Sequence, residues 1–488
     1  MKTISKILIF VSMSLALSGC DDFLTKEPET NLSPNTFFSS EAELELWTNR
    51  FYSLFAGPDT DAIQVSDIQI AKNLSSVQQG TRSPATENWG TSAWAYLRYI
   101  NYYLERSGNC PDETIRQRYD GVAYFFRALF YFEKVRKYGD IPYYDFVIPS
   151  NDWASLKRPR DSRGFVMKKV MEDLDRAITD LPDNWPSDAL YRLSKNAARA
   201  MKARAALYEG TFRKYHSREP SSDKPWQNDV YNADNKFLRE AAAAAKEIMD
   251  KGSFSLVTGD VKTAYRSLFT SAGLLTQEVI FGREYSKELS AFHETSWYYY
   301  SPTYGTKIAM TKKFMNTYLT TKGTPFTDID GYKTVDFIHE FDGRDARMAQ
   351  TVISPTYKMK ISGRERLYSP NWKVTRTGYH PIKWSIDDDA DNVLSKAASW
   401  NSLPIIRYAE VLLNYAEAKA ELGEMDAAVW DQTIAPLRSR AGVTSVIPAK
   451  ADPYMEAYFL NTVTDKWILE VRRERGIELC LEMGLRWD

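Results

Sequence analysis

The chain has 488 residues and carries 63 Lys and Arg against 64 Asp and Glu, which gives a formal net charge of −1. This balance excludes a protein that recruits nucleic acid by bulk charge, because such proteins carry a basic surplus or a basic stripe. Three Cys and four His exclude a disulfide framework and argue against a zinc site built from several His. The aromatic share of 14% exceeds what a core needs, so some rings are available for ligand stacking.

The first residues have the pattern of an export signal. Lys2 and Lys6 precede an apolar run over residues 7–17, which is shorter than the ~20 residues of a membrane-spanning helix. Small residues directly before Cys20 indicate a lipoprotein signal peptide over residues 1–19, with lipid attached to Cys20. The alternative is an ordinary secretory signal with an incidental Cys. We expect residues 20–39, which are polar and contain Pro, to form a tether, so that the lipid alone contacts the membrane.

Residues 40–270 are predicted to be mainly helical. The first helix starts at Ser40, which has Glu43 at capping-box spacing. Residues 59–90 lack a sustained period and are predicted to form a long surface loop, called the early loop below. Apolar stripes at helical spacing then predict five further helices, which lie near residues 93–104, 112–138, 166–181, 194–206 and 241–252.

The helical period is lost after Tyr285 and returns after Trp400. We expect this long segment to carry short strands and turns, because structureless loops of this length are uncommon in compact domains. It belongs to a predicted irregular insertion over residues 271–402, in which residues 278–281 form a candidate strand. Residues 403–488 are again helical, and residues 415–428 have the small-residue and Leu-Gly spacing of a tetratricopeptide unit. The predicted fold is mostly α, with tetratricopeptide-like helix pairs in an α-α superhelix around the irregular insertion.

Several motifs carry a resemblance to a known family. Asp-Asp-Phe-Leu-Thr-Lys-Glu-Pro follows Cys20, and Tyr-Gly-Asp-Ile-Pro closes the long helix at residues 138–142. The further matching segments are residues 94–104, 127–132, 403–418, 438–443 and 472–479. In order and spacing these motifs resemble the SusD/RagB-like outer-membrane lipoproteins of Bacteroidetes. The helical pattern continues to Asp488 and the family's last motif runs further, so we expect a truncated C-terminus.

The resemblance implies a function as well as a fold. Relatives bind a nutrient, usually an oligosaccharide and less often a peptide, and close over a SusC-like TonB-dependent transporter as a lid. Asp21 and Asp22 after the lipidated Cys resemble the family's signal for display on the outer face of the cell. The resemblance therefore implies a lipid-anchored protein of the outer membrane, with no cofactor and no catalytic residues of its own.

The charged helices and the acidic run are given structural interpretations. Charged residues recur every three or four positions over residues 407–421 and crowd residues 472–478, which predicts ion pairs between helices in preference to a catalytic carboxylate pair. Residues 387–392 resemble the start of a calcium loop, but Asn392 stands where the loop needs Gly, and Ala398 where it needs Glu. A solvated acidic loop is preferred there. His293 starts a zincin-like sequence in which Trp297 replaces the second His.

The candidate binding residues lie in the early loop and the insertion. A sugar site needs a flat aromatic face with a few polar partners, and both segments supply them among residues of irregular structure. Trp94 opens an amphipathic helix and is assigned to the core. The predicted ligand-binding residues are Arg82, Asn88, Trp89, Trp297, Tyr300 and Tyr304.

The sequence therefore predicts a nutrient-binding lipoprotein, with oligosaccharide as the expected ligand. Two alternatives from other classes stay open at this point. One is a lipid-anchored glycan hydrolase, because 64 acidic residues leave room for a catalytic pair. The other is a helical-repeat scaffold that binds protein partners without a small ligand.

Overall fold

The protein is mostly helical in the computed structural model, as the sequence predicts. The structure describes residues 37–55, 66–83, 89–185, 192–216, 218, 226, 233–303, 305, 307–392 and 398–482. One large apolar cluster runs from the first helix through the insertion to the last helix, and a second one lies among the C-terminal helices. The boundaries predicted at residues 270 and 402 remain a proposal about chain organisation.

The described part of the chain contains both long helices and helices of only a few residues. The helices are α1 (Glu41–Asn49), α2 (Ser76–Gln79), α3 (Ala95–Leu104), α4 (Glu113–Tyr138), α5 (Trp153–Leu156), α6 (Arg163–Asp180), α7 (Lys195–Tyr215), α8 (Lys236–Lys251), α9 (Ala264–Thr270), α10 (Thr295–Tyr300), α11 (Lys312–Met315), α12 (Ala346–Thr351), α13 (Asp389–Asn392), α14 (Tyr408–Glu421), α15 (Ala427–Arg440), α16 (Pro453–Tyr458) and α17 (Lys466–Leu479). Short 3₁₀ turns add Arg50–Leu54, Thr91–Trp94, Ser107–Asn109, Phe326–Asp328 and His339–Phe341.

Helix α4 is the longest element and was located closely by its sequence signals. Asp112 caps its first turn by accepting a hydrogen bond from the Ile115 backbone N–H at 3.0 Å. Gly139 ends the helix with φ 73°, a conformation that L side chains rarely adopt. Because three faces of α4 are covered, by α1, α3 and α6, most of its middle residues are buried.

The remaining long helices stack as pairs. Helix α6 packs against both α4 and α7, α7 packs against α8, and α8 packs against α14. Alanines make the approach of α7 and α8 close, as the run of small residues predicts, and Gly210 of α7 faces Leu238 of α8. Helices α14 and α15 form the predicted tetratricopeptide-like pair, and α17 packs onto α14.

The insertion contains short strands and short helices, as predicted. The strands of the whole described chain are β1 (Gln69–Ile70), β2 (Val279–Arg283), β3 (Ala309–Met310), β4 (Lys358–Ile361), β5 (Arg364–Leu367) and β6 (Leu403–Arg407). They form three antiparallel pairs, β1 with β3, β2 with β6, and β4 with β5. In the second pair Val279 lies opposite Arg407, so the two ends of the insertion are held side by side where α14 begins.

A buried ion-pair network joins the insertion to the C-terminal helices. Glu478 of α17 is fully buried, and Arg347, Arg407 and Arg440 all donate hydrogen bonds to its carboxylate. The Arg407 Nη1 to Glu478 Oε1 distance is 2.6 Å, and Arg347 Nη1 lies 2.8 Å from Glu478 Oε2. Further members are Glu278, Asp345, Lys383, Arg438, Glu470, Arg473, Glu474 and Glu482.

The predicted charged face of α14 takes part in the same kind of contact. Glu410 accepts a bidentate pair of hydrogen bonds from Arg204 of α7, while Glu417 and Asn414 accept from Arg475 of α17. The partners therefore come from neighbouring helices, which confirms the interpretation as ion pairs that hold helices together. Such buried pairs are strongly destabilising to break, because removal of one partner leaves an uncompensated charge.

Candidate functional site

A cavity of about 540 Å³ lies between α3 and residues 142–150, the segment that follows α4. We call it the Trp89 cavity, after the residue that ends the early loop and forms part of its wall. Its volume is within the range of small-molecule sites. The lining side chains are mostly aromatic or aliphatic, and those used below are Trp89, Trp94, Ala95, Arg98, Tyr99, Asn101, Tyr144, Phe146 and Leu156.

Trp89 is held in an aromatic corner at this cavity. Its ring meets Trp94 edge-on with centroids 5.1 Å apart, and it meets Tyr138 edge-on at 4.6 Å. The Arg160 guanidinium lies 5.3 Å from the Trp89 ring centroid, within the range of a cation–π contact. Trp89 is thus half-buried in a defined position, which is the condition for a rigid stacking platform.

Trp94 differs from its predicted place in the core. Its side chain is half-buried and lines the Trp89 cavity, although it also packs against Phe130 on its inner side with centroids 5.6 Å apart. The reason is that α3 only begins after Trp94, so the ring sits at the end of the helix stripe and not within it. Lys134 lies beneath it, 5.4 Å from the ring centroid, and burial together with Lys137 lowers the pKa of Lys134 to about 8.

Two polar side chains of the Trp89 cavity are used to hold its wall in place. The Asn101 side-chain amide donates hydrogen bonds to the Tyr144 and Phe146 carbonyls, both at 3.0 Å. Arg98 donates to the Ile148 carbonyl at 2.9 Å. These bonds fix residues 142–150 against α3 and so determine the shape of the cavity.

A second candidate surface lies in the insertion, around α10. We call it the Trp297 surface and define it by the half-buried rings of Tyr285, Trp297, Tyr298 and Trp400. The Trp297 and Tyr298 rings are 5.1 Å apart at 67°, and Lys287 Nζ lies 5.0 Å from the Trp400 ring centroid. The surface therefore offers aromatic faces with a cation beside them.

Buried hydrogen bonds hold the segments of the Trp297 surface together. His293 and Ser399 exchange backbone hydrogen bonds at 2.9 and 3.1 Å, so the segment before α10 is paired with the end of the insertion. Both ring nitrogens of His293 are occupied, since Nδ1 contacts Thr295 Oγ1 at 3.1 Å and Nε2 contacts the Asn401 carbonyl at 3.0 Å. Burial lowers the pKa of His293 to about 4, so this side chain is a neutral part of the scaffold.

The other predicted binding residues have different outcomes. Arg82 is exposed and donates a 2.7 Å hydrogen bond to the Lys137 carbonyl, which places it at the same end of α4 as Trp89. Tyr300 is only 2% exposed, and its hydroxyl contacts the Tyr357 hydroxyl at 2.9 Å. We therefore assign Tyr300 to packing, because α10 turns it inward. Asn88 and Tyr304 lie outside the described residues, as does the predicted lipidation site Cys20.

The early loop and the insertion contact each other, although they are far apart in sequence. Strand β1 of the early loop pairs with β3 of the insertion, with Gln69 opposite Met310. The Thr311 backbone N–H donates to the Ile68 carbonyl at 2.8 Å, next to this pair. The two segments that were predicted to bind ligand are therefore joined directly.

The acidic run of residues 387–392 is engaged by basic side chains. Asp387 accepts hydrogen bonds from both terminal nitrogens of Arg266, each at 2.6 Å, and Asp388 accepts one from Lys360 at 2.9 Å. The Asp387 side chain is 38% exposed, so it is partly solvated as predicted, but it is also paired with Arg266, which the sequence did not indicate. Asp389 accepts from the Ser362 backbone N–H at 3.2 Å, and in the described part of the chain no group of three or more His, Cys, Asp or Glu side chains is placed to hold a metal ion.

Sequence reasoning missed most of the aromatic residues that complete these two surfaces. Tyr144 and Phe146 follow the Tyr-Gly-Asp-Ile-Pro motif, and this Pro-containing aromatic segment was the available signal for a cavity wall. Trp400 was seen only as the end of the irregular segment. Its place beside Lys287 depends on pairing between residues 293 and 399, which no local pattern indicates.

The comparisons with known proteins agree on one family. The SusD family model matches residues 277–488, and a model described as "starch-binding associating with outer membrane" matches residues 22–207. SusD-like protein P2 of Formosa agariphila is 28% identical over 226 residues, which are 42% of this chain and 44% of that protein. The chain spans about half the length of the curated relatives it matches.

Solved structures share the fold. A SusD-like protein of Bacteroides fragilis has a TM-score of 0.71 at 23% identity, over 94% of this chain and 88% of its own. A SusD-like carbohydrate-binding protein of the same species has a TM-score of 0.69 at 22% identity, over 93% and 86%. The two SusD-type family models together match most of the chain, residues 22–207 and 277–488, and this chain therefore belongs to the SusD/RagB-like family.

Proposed function

We propose that this protein binds an oligosaccharide outside the cell and passes it to a SusC-like TonB-dependent transporter of the outer membrane. The observation that carries the proposal is the Trp297 surface, an aromatic cluster with Lys287 beside it in an insertion that is joined to the early loop. The family description, starch-binding and associated with the outer membrane, supports the ligand class and the location. Peptide is the less favoured ligand.

The chemistry of the Trp297 surface suits a sugar. Aromatic rings stack on the apolar C–H face of a pyranose, and side chains at the edge of the rings bond the hydroxyl groups around it. Trp297 and Tyr298 meet edge-on, so their ring planes face different directions and offer two stacking faces. Trp89 and Arg82 at the end of α4 extend the proposed contacts toward the early loop.

We propose that a lipid on Cys20 anchors the protein, and that the folded part faces the cell exterior. Among the described residues, no helix combines the length and the apolar character that crossing a membrane requires. Several acyl chains on one Cys give stable membrane attachment, because each buried CH₂ contributes about 0.8 kcal/mol. Mass spectrometry of the protein extracted from membranes tests this directly, since an unmodified Cys20 would contradict the proposal.

We propose binding without bond cleavage. The buried carboxylates Glu278, Glu474 and Glu478 are each paired with arginine, and three arginines hold the pKa of Glu478 well below its usual range against the opposing effect of burial. A general acid needs the opposite shift, toward neutral pH. Release of reducing ends from a polysaccharide panel by the purified protein would contradict this part of the proposal.

The glycan proposal is tested by calorimetry with a panel of oligosaccharides. For a glycan that binds the unaltered protein, Trp297→Ala is expected to weaken affinity at least tenfold, which corresponds to loss of about 1.4 kcal/mol of binding energy. Trp89→Ala is expected to weaken it as well. The matched control is Trp372→Ala, since Trp372 is 70% exposed and lies in the insertion outside the Trp297 surface. Equal affinity of Trp297→Ala and the unaltered protein would remove this surface from the site.

The transporter proposal needs a separate measurement. Purification of the tagged, lipid-anchored protein from outer membranes in mild detergent is expected to bring along one large TonB-dependent transporter in near-equal amount. Trp297→Ala should leave this association unchanged, because the ring is assigned to the glycan. Recovery of the protein without a transporter at several detergent and salt conditions would contradict the partnership.

A further inference from the structure

The Trp89 cavity extends behind the Trp89 ring and is lined mainly by aromatic and aliphatic side chains. Its walls include Trp89, Trp94, Tyr99, Tyr144 and Phe146. These rings meet largely edge to face, with Trp94 6.5 Å from Tyr144 and Tyr144 6.0 Å from Phe146. Rings in this arrangement present both edges and faces, which is the preferred environment of another aromatic ring.

Several of the hydrogen-bonding groups that line the cavity already have partners inside the protein. Asn101 donates both amide hydrogens to the carbonyls of Tyr144 and Phe146, and Arg98 donates to Ile148. The Tyr144 hydroxyl donates to the Ser155 carbonyl at 2.7 Å. Most lining residues are aromatic or aliphatic, so the hydroxyl groups of a buried sugar would give up bonds to water and face mainly apolar side chains, which is unfavourable. An aryl group has no such bonds to lose.

Charge also narrows the choice of ligand. No Asp or Glu lines the cavity among the described residues, while Arg98 is part of its wall. Arg160 and Lys134 lie against the rings of Trp89 and Trp94. These cations disfavour a positively charged ligand, so the aromatic cages that bind ammonium groups are not a model for this cavity.

From these contacts we infer that the Trp89 cavity binds an uncharged aryl group. The group is either a free aromatic molecule or an aryl substituent carried by a glycan, and the inference does not depend on glycan binding at the Trp297 surface. The wall is preformed, because Asp152 caps α5 through the Ser155 backbone N–H at 3.0 Å and so fixes Leu156 at the mouth. Leu156 is half exposed there, which makes it accessible to an entering ligand.

Ligand-observed fluorine NMR on the full protein tests the inference with three probes. The probes are 4-fluorobenzyl alcohol, its β-glucoside, and 2-deoxy-2-fluoroglucose. We expect 4-fluorobenzyl alcohol to bind the unaltered protein with submillimolar affinity, and the fluoroglucose to bind at least tenfold more weakly. Tighter binding of the glucoside than of the alcohol would identify the aryl group as a glycan substituent, whereas tighter binding of the alcohol would indicate a free aromatic ligand.

Two variants that fill the cavity locate the binding. Leu156→Trp narrows the mouth from an exposed position, and Ala95→Leu enlarges a small lining residue of α3. Each is expected to weaken 4-fluorobenzyl alcohol binding at least tenfold, with the far-ultraviolet circular dichroism unchanged. Leu289→Trp is the control, because Leu289 is 81% exposed and outside the cavity. Absence of binding to the unaltered protein, equal binding to all variants, or loss of fluoroglucose binding in the filled variants would each overturn the inference.

The same measurements separate this inference from the proposed function. Trp297→Ala is expected to leave aryl binding unchanged, because α10 contributes no residue to the Trp89 cavity. Loss of glycan binding in Trp297→Ala together with no aryl binding to the unaltered protein would overturn only the aryl inference. Aryl binding that Leu156→Trp abolishes, without any glycan bound by the protein, would leave the inference standing and remove the glycan proposal.

Discussion

Replacement of Glu478 by Gln is the sharpest test of the buried ion-pair network. The substitution keeps the size and shape of the side chain and removes one negative charge. Glu478 Oε1 accepts hydrogen bonds from Arg407 and Arg440, and Oε2 accepts one from Arg347. A Gln side chain has one carbonyl oxygen and one NH₂ group, so it can accept hydrogen bonds at only one of the two positions that the carboxylate oxygens occupy. If its carbonyl faces Arg407 and Arg440, its NH₂ group faces the Arg347 guanidinium, donor against donor.

The expected loss follows from these contacts. One charge-assisted hydrogen bond disappears outright, which costs about 1.5–3 kcal/mol, and two others lose their charge assistance. Removal of one partner from a buried ion pair costs about 3–5 kcal/mol in general, because the opposite charge stays buried and uncompensated. We expect E478Q to lose about 3–5 kcal/mol of unfolding free energy, a large part of the ~5–15 kcal/mol typical of folded proteins.

The assay is urea or guanidinium denaturation of the unaltered protein and of two variants. Glu424→Gln is the matched control, since Glu424 is near the surface and pairs with Arg239 at 3.0 Å and with Lys419. Its loss is expected to stay below about 1 kcal/mol, as for other surface ion pairs. An E478Q protein within 1 kcal/mol of the unaltered protein, or no less stable than E424Q, would refute the reasoning.

The pH dependence gives an independent check on Glu478. Burial alone would raise its pKa, but Arg440, Arg407 and Arg347 outweigh burial and hold the pKa of Glu478 well below its usual range. The ionised carboxylate therefore stabilises the folded state fully above the unfolded-state pKa of about 4.3, and this stability is lost as pH falls through the folded-state pKa. The difference between the unaltered protein and E478Q should be constant near pH 7 and narrow below about pH 4.

Three further predictions concern the helical frame and the acidic run. Gly210→Ala places a Cβ 2.8 Å from Leu238 Cδ2 and should lower the free energy of unfolding by about 1–3 kcal/mol, as measured by chemical denaturation. An unchanged free energy of unfolding would show that α7 and α8 can move apart to accept the methyl group. Asp120→Asn should stabilise the protein at pH 8 by up to about 3 kcal/mol and have little effect at pH 4. Burial raises the pKa of Asp120 to about 6, so the stability of the unaltered protein is lost as pH rises through that value. Equal effects of the substitution at both pH values would contradict this. Removal of calcium with EDTA should leave the midpoint of thermal unfolding unchanged, because Arg266 already neutralises Asp387. A lower midpoint that added calcium restores would show that the acidic run of residues 387–392 binds the ion.

The helices were predictable because their signals are local. Asp112 and Gly139 bracket α4 in the sequence, and the same residues cap it in the structure. Of the loop predicted over residues 59–90, the structure describes residues 66–83, 89 and 90, and these contain β1 and α2, because a two-residue strand has no period to detect. The binding residues were harder to predict: Trp94 packs against the core as expected but also lines the Trp89 cavity, and Tyr300, expected at the site, is buried.

Sequence alone determined the family motifs, the order of the helices, and the existence of aromatic residues in two irregular segments. These features depend on residues a few positions apart, where periodicity and capping act. Tertiary structure alone decided which rings are buried, how Trp89 meets the segment after α4, and which charges pair. Glu278 and Arg440 contact each other across 162 positions of the chain. Contacts over such separations depend on how all the helices pack together, and so no local pattern contains them.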